Sequence, residues 1–487
     1  MKLLHPRHLF RFAARPRPFG PWFLLLIIGL WLGGPMPGQA QVAPAPLPAP
    51  GRYLVTVVTA SLGRVQLLFE LRAQADSLVT GTTAPELPRR LVGGLTGALV
   101  SKSLLDNGTL AKLNLRRPGP GRPSRLAIAY QGVFDVVPVP AAPGQPGSFG
   151  GELRDIRTGA VRGSLAAEPT ALAAVRPDYP ALVTRLLALA EEKLYNPALL
   201  QQKPWREYRA YMLAKAPAFV DDGDLLFASL YKARSLPFSH FLLMGDKTAV
   251  PAAVAQAGAA GPGFRLAAPG VALLDVPQFN IRAATVDSLV ALVRLSAARA
   301  LVIDLRRNTG GDMEGGMRLL QHLTARPLFG GTLLSQRWWR AHPAPATAAE
   351  AAQLPRLDHA SYAEFRQQRG SVSGLTLHIE PVAPALQLRL PVFVLTSRRT
   401  ASAAEPVVFG IQYYKIGQVV GETTAGAVLS MEELPLDRYT LQVPMLSYYA
   451  PNGRELDQIG VRPDHAVAAD QALEFVLTKL LPPTAQK

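Results

Sequence analysis

Two short apolar runs in the second half of the chain end abruptly in small and polar residues. The first, ALVIDLRRNTGG at 300–311, closes on Gly310 and Gly311, and the second, VFVLTSRRTASAAE at 392–405, carries Ser402 between alanines. Paired glycines can present bare backbone N–H groups, and a serine where a strand gives way to a helix is exposed yet rigidly held. These groups could form an oxyanion hole and a nucleophile, the two parts that acyl transfer needs most. The two runs therefore predict a serine hydrolase.

Composition excludes several other classes of protein. The 487 residues are enough for about two or three domains, and 48% apolar and 18% charged residues exclude a largely disordered chain. The chain has no cysteine, which excludes disulfides and thiol nucleophiles. No motif of His or acidic residues with metal-ligand spacing occurs, so no metal or cofactor is predicted. The net charge of +16 is scattered and not interleaved with aromatic residues, which argues against nucleic-acid binding.

The N-terminus has the pattern of an export signal. Basic residues precede an apolar run at 22–32, and small residues follow at Gly38 and Ala40. The run is shorter than the roughly 20 apolar residues that span a bilayer. We therefore expect a signal peptide over 1–40, cleaved after Ala40, and an exported protein that is periplasmic, outer-surface or extracellular. A retained membrane anchor is the alternative, and no later segment is predicted to cross a membrane.

The next part of the chain changes from a linker to a pattern of period two. Residues 41–51 are a Pro/Ala linker. Over 52–170, apolar residues such as Val65, Leu67 and Phe69 alternate with polar residues between Gly/Pro/Asn clusters. This alternation predicts a small antiparallel β domain.

A helical pattern replaces the alternation after residue 175. Helical spacing predicts a segment over 175–245 with helices that begin near Asp178, Trp205 and Asp222. From 265 to 482 strands and helices alternate, which predicts an α/β fold with parallel strands. Ligands of such sheets gather beyond the carboxyl ends of strands, where both opening runs end.

Four motifs in this part of the chain resemble the S41 peptidases, the family of C-terminal processing proteases and tricorn core proteases. They are DLRRNTGG, TASAAE, GETTAG at 421–426 and GVRPD at 460–464, and they occur in the family's order over roughly 220–475. The resemblance implies a crotonase-like (ClpP/crotonase) α/β core preceded by the helical segment and the antiparallel β domain. Many members carry a PDZ domain before the core, but only about thirty residues separate His240 from the first predicted core strand, so none is expected here.

The resemblance also distinguishes between two kinds of general base. Processing proteases use a lysine at the position that matches Ala427, and the nearest lysine, Lys415, precedes the GETTAG motif. Tricorn-like members use an adjacent Ser-His pair before the core, which matches Ser239 and His240. The chain therefore resembles the tricorn-like subtype.

The resemblance assigns roles to the remaining residues. It implies that Ser402 is the nucleophile, that His240 is the general base, and that Ser239 orients the imidazole. The acid that orients Ser239 matches Asp457, with Glu455 as the alternative. The implied oxyanion donors are the backbone N–H groups of Ala403 and of Gly310 or Gly311. The other histidines lie outside the motifs, and His322 is predicted on a helix surface.

The leading hypothesis is an exported serine peptidase that acts on protein or peptide substrates without a cofactor. Two alternatives remain: a non-catalytic ligand- or peptide-binding protein on the same fold, and a scaffold whose β domain carries the function. The presence of Ser402, His240 and both glycines favours the peptidase, since a site that had lost its catalytic activity would not need to keep all of these residues.

Overall fold

A computed structural model describes residues 47–481, apart from 84–90, 93–104, 106–107, 118–122, 130, 140–145, 171–176, 257–260, 358–366 and 368–369. The predicted signal at 1–40 and most of the 41–51 linker lie outside the described residues. Within the described residues, every helix is too short or too polar to cross a membrane.

Eight antiparallel strands near the N-terminus form a closed barrel. They are β1 (Gly51–Thr59), β2 (Gly63–Ala75), β3 (Leu78–Thr83), β4 (Ala111–Arg116), β5 (Ser124–Ile128), β6 (Gly132–Val139), β7 (Phe149–Asp155) and β8 (Val161–Pro169). Each strand pairs with the next, and β8 closes the barrel on β1. The residues that alternate in the sequence, such as Val65, Leu67 and Phe69, fill the interior. The predicted antiparallel β domain is confirmed, and closure leaves its strands without free edges.

Three helices follow the barrel, as the helical spacing predicts. They are α1 (Tyr179–Lys193), α2 (Lys203–Lys215) and α3 (Asp222–Ala233), joined by short 3-10 turns at Pro197–Gln201 and Ala216–Ala218. Asp178 accepts a hydrogen bond from the Ala181 N–H at 3.0 Å, and Asp221 accepts one from the Asp224 N–H at 3.2 Å. Both carboxylates satisfy N–H groups that a helix start leaves free, which explains why α1 and α3 begin there.

The remaining chain alternates strands with helices. In chain order the elements are β9 (Leu242–Gly245), α4 (Ala252–Gln256), β10 (Gly263–Ala268), β11 (Val271–Asp275), α5 (Ala283–Leu295), β12 (Ala300–Asp304), α6 (Met313–Leu323), β13 (Leu328–Ser335), α7 (Gln336–Ala341), α8 (Ala348–Ala351), β14 (Arg356–Leu357), β15 (Gly374–Ile379), β16 (Val392–Thr396), α9 (Ala404–Tyr413), β17 (Gln418–Gly421), β18 (Ser430–Leu436), β19 (Tyr439–Tyr449), β20 (His465–Ala466) and α10 (Ala472–Phe475). A 3-10 turn at Pro384–Leu386 precedes β16, and a π-helical turn at Val476–Leu480 follows α10.

These strands form two sheets with a shared apolar core. The first has the order β10-β11-β12-β16-β17-β20 and is parallel except for the β10–β11 pair. The second has the order β14-β15-β13-β19-β18, with β9 paired to β19, and is antiparallel except for β14–β15. Leu301 and Ile303 of β12 face the core between the sheets, whereas Val302 packs on the opposite face, which α10 covers. Because both faces of β12 are buried, its sequence is continuously apolar. The predicted α/β core is confirmed.

The barrel contacts the segment that follows His240 through two glycines. The turn between β1 and β2 meets β9, where the Gly245 N–H donates to Leu62 O at 2.8 Å and the Arg64 N–H donates to Asp246 O at 2.9 Å. Gly63 has a φ of +73°, and a Cβ on it would lie 2.5 Å from Gly245 O. The two backbones therefore approach more closely than any side chain would permit, and the barrel is hydrogen-bonded directly to the core.

A buried carboxylate makes a second junction between the barrel and the core. Asp222, at the start of α3, is 1% exposed. It accepts hydrogen bonds from the Gln66 N–H of β2 at 2.8 Å and from the Tyr439 hydroxyl of β19 at 2.6 Å. The Arg438 guanidinium donates to the same carboxylate at 2.5 Å. One side chain thus joins the barrel, the helical segment and the second sheet.

Gly63→Ala should destabilise the fold more than the same change at a glycine without neighbours. Gly159 is the matched control, because its φ is +69° but nothing lies within 4 Å of its Cβ position. Gly159→Ala should lower the free energy of unfolding by about 1 kcal/mol, the cost of left-handed backbone, and Gly63→Ala by roughly 2–4 kcal/mol. Urea unfolding of both variants measures the difference. Equal losses would mean that the close contact between Gly63 and Gly245 adds nothing to the cost of a side chain at position 63.

Candidate active site

The two loops singled out in the sequence leave the parallel sheet side by side. β12 and β16 are neighbours in parallel register, so their carboxyl ends meet at one edge of the sheet. The Thr400 hydroxyl donates to Leu305 O at 2.8 Å, and the Ala401 N–H donates to Asn308 O at 3.0 Å. Thr400 and Asn308 are fully buried, at 0% exposure. These bonds fix the serine-bearing loop against the glycine-bearing loop.

The Asn308 side chain determines which glycine N–H is available. Its amide donates to Val276 O at 2.9 Å, and its Oδ1 accepts from the Gly310 N–H at 2.8 Å. In this arrangement the Gly310 N–H is already donated to Asn308, which favours Gly311 of the two glycines considered for the oxyanion hole. The Gly311 N–H has no acceptor among the described residues. Gly310 must still be glycine, because a Cβ on it would lie 2.4 Å from the Ser402 Cβ.

Ser402 occupies a sharp turn between β16 and α9. Its φ is +55°, and its N–H donates to Ala427 O at 2.7 Å while its own carbonyl accepts from the Glu405 N–H at 2.9 Å. A non-glycine residue in this region costs roughly 1–3 kcal/mol and persists where its surroundings fix it, which occurs most often at functional sites. The N–H of Ala403, at the positive N-terminal end of α9, has no acceptor among the described residues.

A buried glutamate that the sequence motifs did not single out holds the loop beneath Ser402. Glu405 is 0% exposed and accepts hydrogen bonds from the Thr424 hydroxyl at 2.5 Å, the Gly426 N–H at 2.9 Å and the Ala427 N–H at 2.8 Å. Burial raises the pKa of Glu405, and these three hydrogen bonds oppose the rise. Because Ala427 O accepts from Ser402, Glu405 supports the turn indirectly. The signal in the sequence was its position three residues after Ser402, in the first turn of the predicted helix.

Ser239, His240 and Asp457 form one hydrogen-bonded series, although Asp457 lies 218 residues after Ser239. The Ser239 hydroxyl donates to Asp457 Oδ1 at 2.6 Å, and its N–H donates to Asp457 Oδ2 at 3.0 Å. The Ser239 Oγ lies 2.7 Å from His240 Nδ1. The Val428 N–H donates to Asp457 Oδ1 at 3.0 Å. The carboxylate is thus joined both to the histidine turn and to the loop that holds Ser402.

This series determines the tautomer of His240. Because the Ser239 hydroxyl donates its hydrogen bond to Asp457, the Ser239 oxygen can only accept a hydrogen bond from His240 Nδ1–H. His240 Nε2 then carries a lone pair, which is the form a general base requires. Burial lowers the pKa of His240, and the Asp457 charge opposes that effect. Like Ser402, His240 has left-handed backbone, with a φ of +59°.

Ser402 and His240 are not hydrogen-bonded to each other. Ser402 Oγ and His240 Nε2 have no hydrogen-bond partner within the described part of the chain. Such contacts are often long in a ligand-free site and tighten when substrate binds. The two groups are linked instead through the backbone of Ala427 and Val428 and through Asp457.

The other residues considered in the sequence lie apart from this series. Lys415 is exposed after the end of α9. The exposed Glu455 makes no hydrogen bond to Ser239, but partial burial and the nearby charge of Asp457 raise the pKa of its carboxyl. His322 was wrongly predicted on a helix surface: it is 3% exposed, and its Nε2 lies 2.7 Å from Asp287 Oδ1. No group of three or more His or acidic side chains able to hold a metal ion occurs within the described ranges.

Comparison with known proteins gives one family match. Residues 270–467 match the model of Peptidase family S41. A lipoprotein from Streptococcus agalactiae is 15% identical, with 63% of this chain and 98% of that chain covered and a TM-score of 0.42. A putative peptidase from Parabacteroides merdae ATCC 43184 is 14% identical, with 63% and 98% covered and a TM-score of 0.43. The photosystem II D1 C-terminal processing protease is 16% identical, with 61% and 94% covered and a TM-score of 0.36. The family match includes both loops at the sheet edge but not the turn that carries Ser239 and His240.

Proposed function

We propose that this chain, which matches the model of peptidase family S41 over residues 270–467, is a serine peptidase that cleaves protein or peptide substrates through an acyl-enzyme on Ser402. One observation carries the proposal: the hydrogen bonds from Asp457 through Ser239 to His240, which leave His240 Nε2 as an acceptor. The nucleophile and two N–H groups that have no acceptor among the described residues line a common cavity, since Ser402, Gly311 and Ala403 all border it. Nucleophile, base and anion donors are the elements that acyl transfer requires.

In the acylation step, Ser402 Oγ attacks the scissile carbonyl carbon while His240 Nε2 takes the hydroxyl proton. The carbonyl oxygen becomes an oxyanion, which accepts hydrogen bonds from the N–H groups of Gly311 and Ala403. Each such donor contributes roughly 3 kcal/mol to the transition state. The C–N bond then breaks, and His240 returns the proton to the leaving amine. Ser239 and Asp457 keep the imidazole oriented throughout.

Deacylation repeats the sequence with water. His240 Nε2 takes a proton from water, whose oxygen attacks the ester carbonyl of the acyl-Ser402. The C–O bond to Ser402 breaks, Oγ recovers the proton from His240, and the product leaves as a carboxylic acid. The same two N–H groups stabilise the second oxyanion.

Pre-steady-state kinetics with an activated ester test the acyl-enzyme directly. With a p-nitrophenyl ester of an N-acyl amino acid, we expect a burst of p-nitrophenolate that equals the enzyme concentration. Mass spectrometry of the quenched protein should show one added acyl group. A folded protein that gives neither a burst nor an adduct, and that cleaves no peptide, would instead be a binding protein on the peptidase fold.

Asp457→Asn should cost far more activity than Glu455→Gln. The Asp457 oxygens face the N–H groups of Ser239 and Val428, so either orientation of an asparagine amide would turn its NH₂ toward a backbone N–H. Losing one buried charge-assisted hydrogen bond costs about 1.5–3 kcal/mol, so kcat/KM should fall roughly 10- to 150-fold. Glu455→Gln, at an exposed position, should stay within about threefold. The reverse order of losses in peptide turnover would reassign the acid to Glu455.

The first forty residues support the further proposal that the protein is exported and cleaved after Ala40. Basic residues, a short apolar run and small residues before Gln41 follow the order that signal peptidases recognise. N-terminal sequencing after expression in a bacterial host should give a mature chain that begins at Gln41. Recovery of the uncut chain from the membrane fraction would indicate a retained anchor instead.

A further inference from the structure

A cavity of about 130 Å³ opens directly beside Ser402. Gly311, Ser402 and Ala403 border it, and it extends between α6, α9 and the second sheet, where Met317, Leu333 and Val407 line it. An engineered protein cavity of about 150 Å³ is known to hold benzene, so this space fits one aromatic ring or branched aliphatic side chain.

The lining of the cavity is apolar apart from Ser402, Ser430 and two tyrosines. No charged side chain borders the cavity within the described part of the chain. Its two tyrosine hydroxyls are occupied, because Tyr414 donates to Phe329 O at 2.8 Å and Tyr448 donates to Gly330 O at 2.8 Å. A charged or strongly polar side chain in this cavity would be desolvated without a partner, which is costly.

Gly410, in the interior of α9, also borders the cavity. Its φ is not left-handed, and a Cβ on it would meet only Leu320 Cδ1, at an ordinary contact distance of 3.9 Å. Neither backbone conformation nor packing therefore requires glycine here, although glycine is the least favourable residue after proline inside a helix. By contrast, a Cβ on Gly330 would lie 2.7 Å from Ile379 Cδ1. At position 410, the space that a side chain would occupy is therefore part of the cavity.

We propose that this cavity binds the side chain of the residue that supplies the scissile carbonyl, that this residue is large and apolar, and that Gly410 sets the depth of the cavity. The inference rests on the proposed peptidase function. The side chain on the acyl side begins two bonds from the carbon that Ser402 attacks, whereas the side chain on the amine side begins three bonds away. A cavity that borders both the nucleophile and the oxyanion donors therefore receives the acyl-side residue. Leucine, methionine and phenylalanine are the residues of suitable size.

Two peptides that differ only at the acyl-side residue test the proposal. The wild-type protein should cleave the phenylalanine peptide with kcat/KM at least about tenfold above the alanine peptide, and should reject an aspartate peptide. In Gly410→Leu, whose side chain fills the cavity, the phenylalanine-to-alanine ratio of kcat/KM should fall at least about tenfold. Gly410→Ala should fold at least as stably as wild type and shift the ratio in the same direction by a smaller factor.

Tyr413→Leu is the matched control, because it places leucine in the same helix at an exposed position that does not border the cavity. It should leave the ratio unchanged. An unchanged ratio in both Gly410 variants, or wild-type turnover that does not favour phenylalanine, would overturn the proposal while the peptidase function stands. Failure of the wild-type protein to cleave any of the peptides or to acylate on Ser402 would overturn the function itself. If Gly410→Leu does not fold, the ratio measured in Gly410→Ala decides.

Discussion

Replacing Ser402 with alanine is expected to lower kcat/KM by roughly 10⁴-fold or more, because the variant has no nucleophile while binding and the oxyanion donors remain. The fold should be nearly unaffected. Alanine keeps the Cβ that packs on Gly310, and the backbone bond from residue 402 to Ala427 O at 2.7 Å does not involve the hydroxyl. Peptide turnover and the melting temperature should be measured on the same samples.

Ser402→Gly provides a control for the strained backbone at this position. Glycine adopts a φ of +55° without strain, so this variant should be equally inactive but should melt at a higher temperature than Ser402→Ala. Residual turnover above about a thousandth of wild type in either variant would indicate a different nucleophile.

Replacing His240 with alanine is the second change expected to have a large effect. It should lower kcat/KM by a factor similar to that for Ser402→Ala, because nucleophile and base act as one unit. Burial lowers the pKa of His240 from its ordinary value of 6.5. Protonated His240 cannot act as a base, so kcat/KM of the wild type should fall as the pH drops, with a midpoint below 6.5. This acid limb should be absent in His240→Ala.

Two further variants test whether His240, rather than a lysine, is the general base. Lys415→Ala should leave both turnover and the pH profile unchanged, since Lys415 is exposed and outside the hydrogen-bonded series. Ser239→Ala should cause a smaller loss than His240→Ala, because the imidazole remains and loses only its orienting partner. A limb centred well above pH 8, or loss of activity in Lys415→Ala, would support a lysine base instead.

The elements that carry the nucleophile were predictable because their local patterns are strong. β12 and β16 are continuous apolar runs, which are typical of strands buried on both faces, and small or polar residues mark where each one ends. Helices α1 and α3 begin after the aspartates that cap them. These signals lie within a few residues of the structure they specify.

The sequence patterns did not predict the second sheet, and proline interrupts two of its strands. Pro435 lies in β18, an edge strand, and Pro444 lies in β19 at a shift in register. Proline in an apolar run argues against a strand unless the strand is at an edge or a bulge, and neither condition is visible in the sequence. Closure of the barrel could not be predicted for a different reason: the pairing of β1 with β8 is a contact between residues that are distant in the sequence.

The candidate site was only partly predictable for the same reason. Local patterns indicated Ser402 and the glycines, whereas Ser239, His240 and Asp457 came from the family resemblance. Their geometry depends on a contact across 218 residues. The choice between Gly310 and Gly311 depends on the Asn308 side chain, whose direction no sequence pattern specifies. His322 is buried where α6 meets the neighbouring helix α5, with its Nε2 beside Asp287, and the sequence pattern of α6 alone does not show this contact.

Covalent labelling with a fluorophosphonate probe, mapped by peptide mass spectrometry, tests the central claim most directly. Such probes react with a serine only when an adjacent base and anion donors activate it. We predict a single adduct, on Ser402, that forms at least about a hundredfold more slowly in His240→Ala. An adduct on another residue, no adduct on the folded wild-type protein, or equal labelling in His240→Ala would contradict the account.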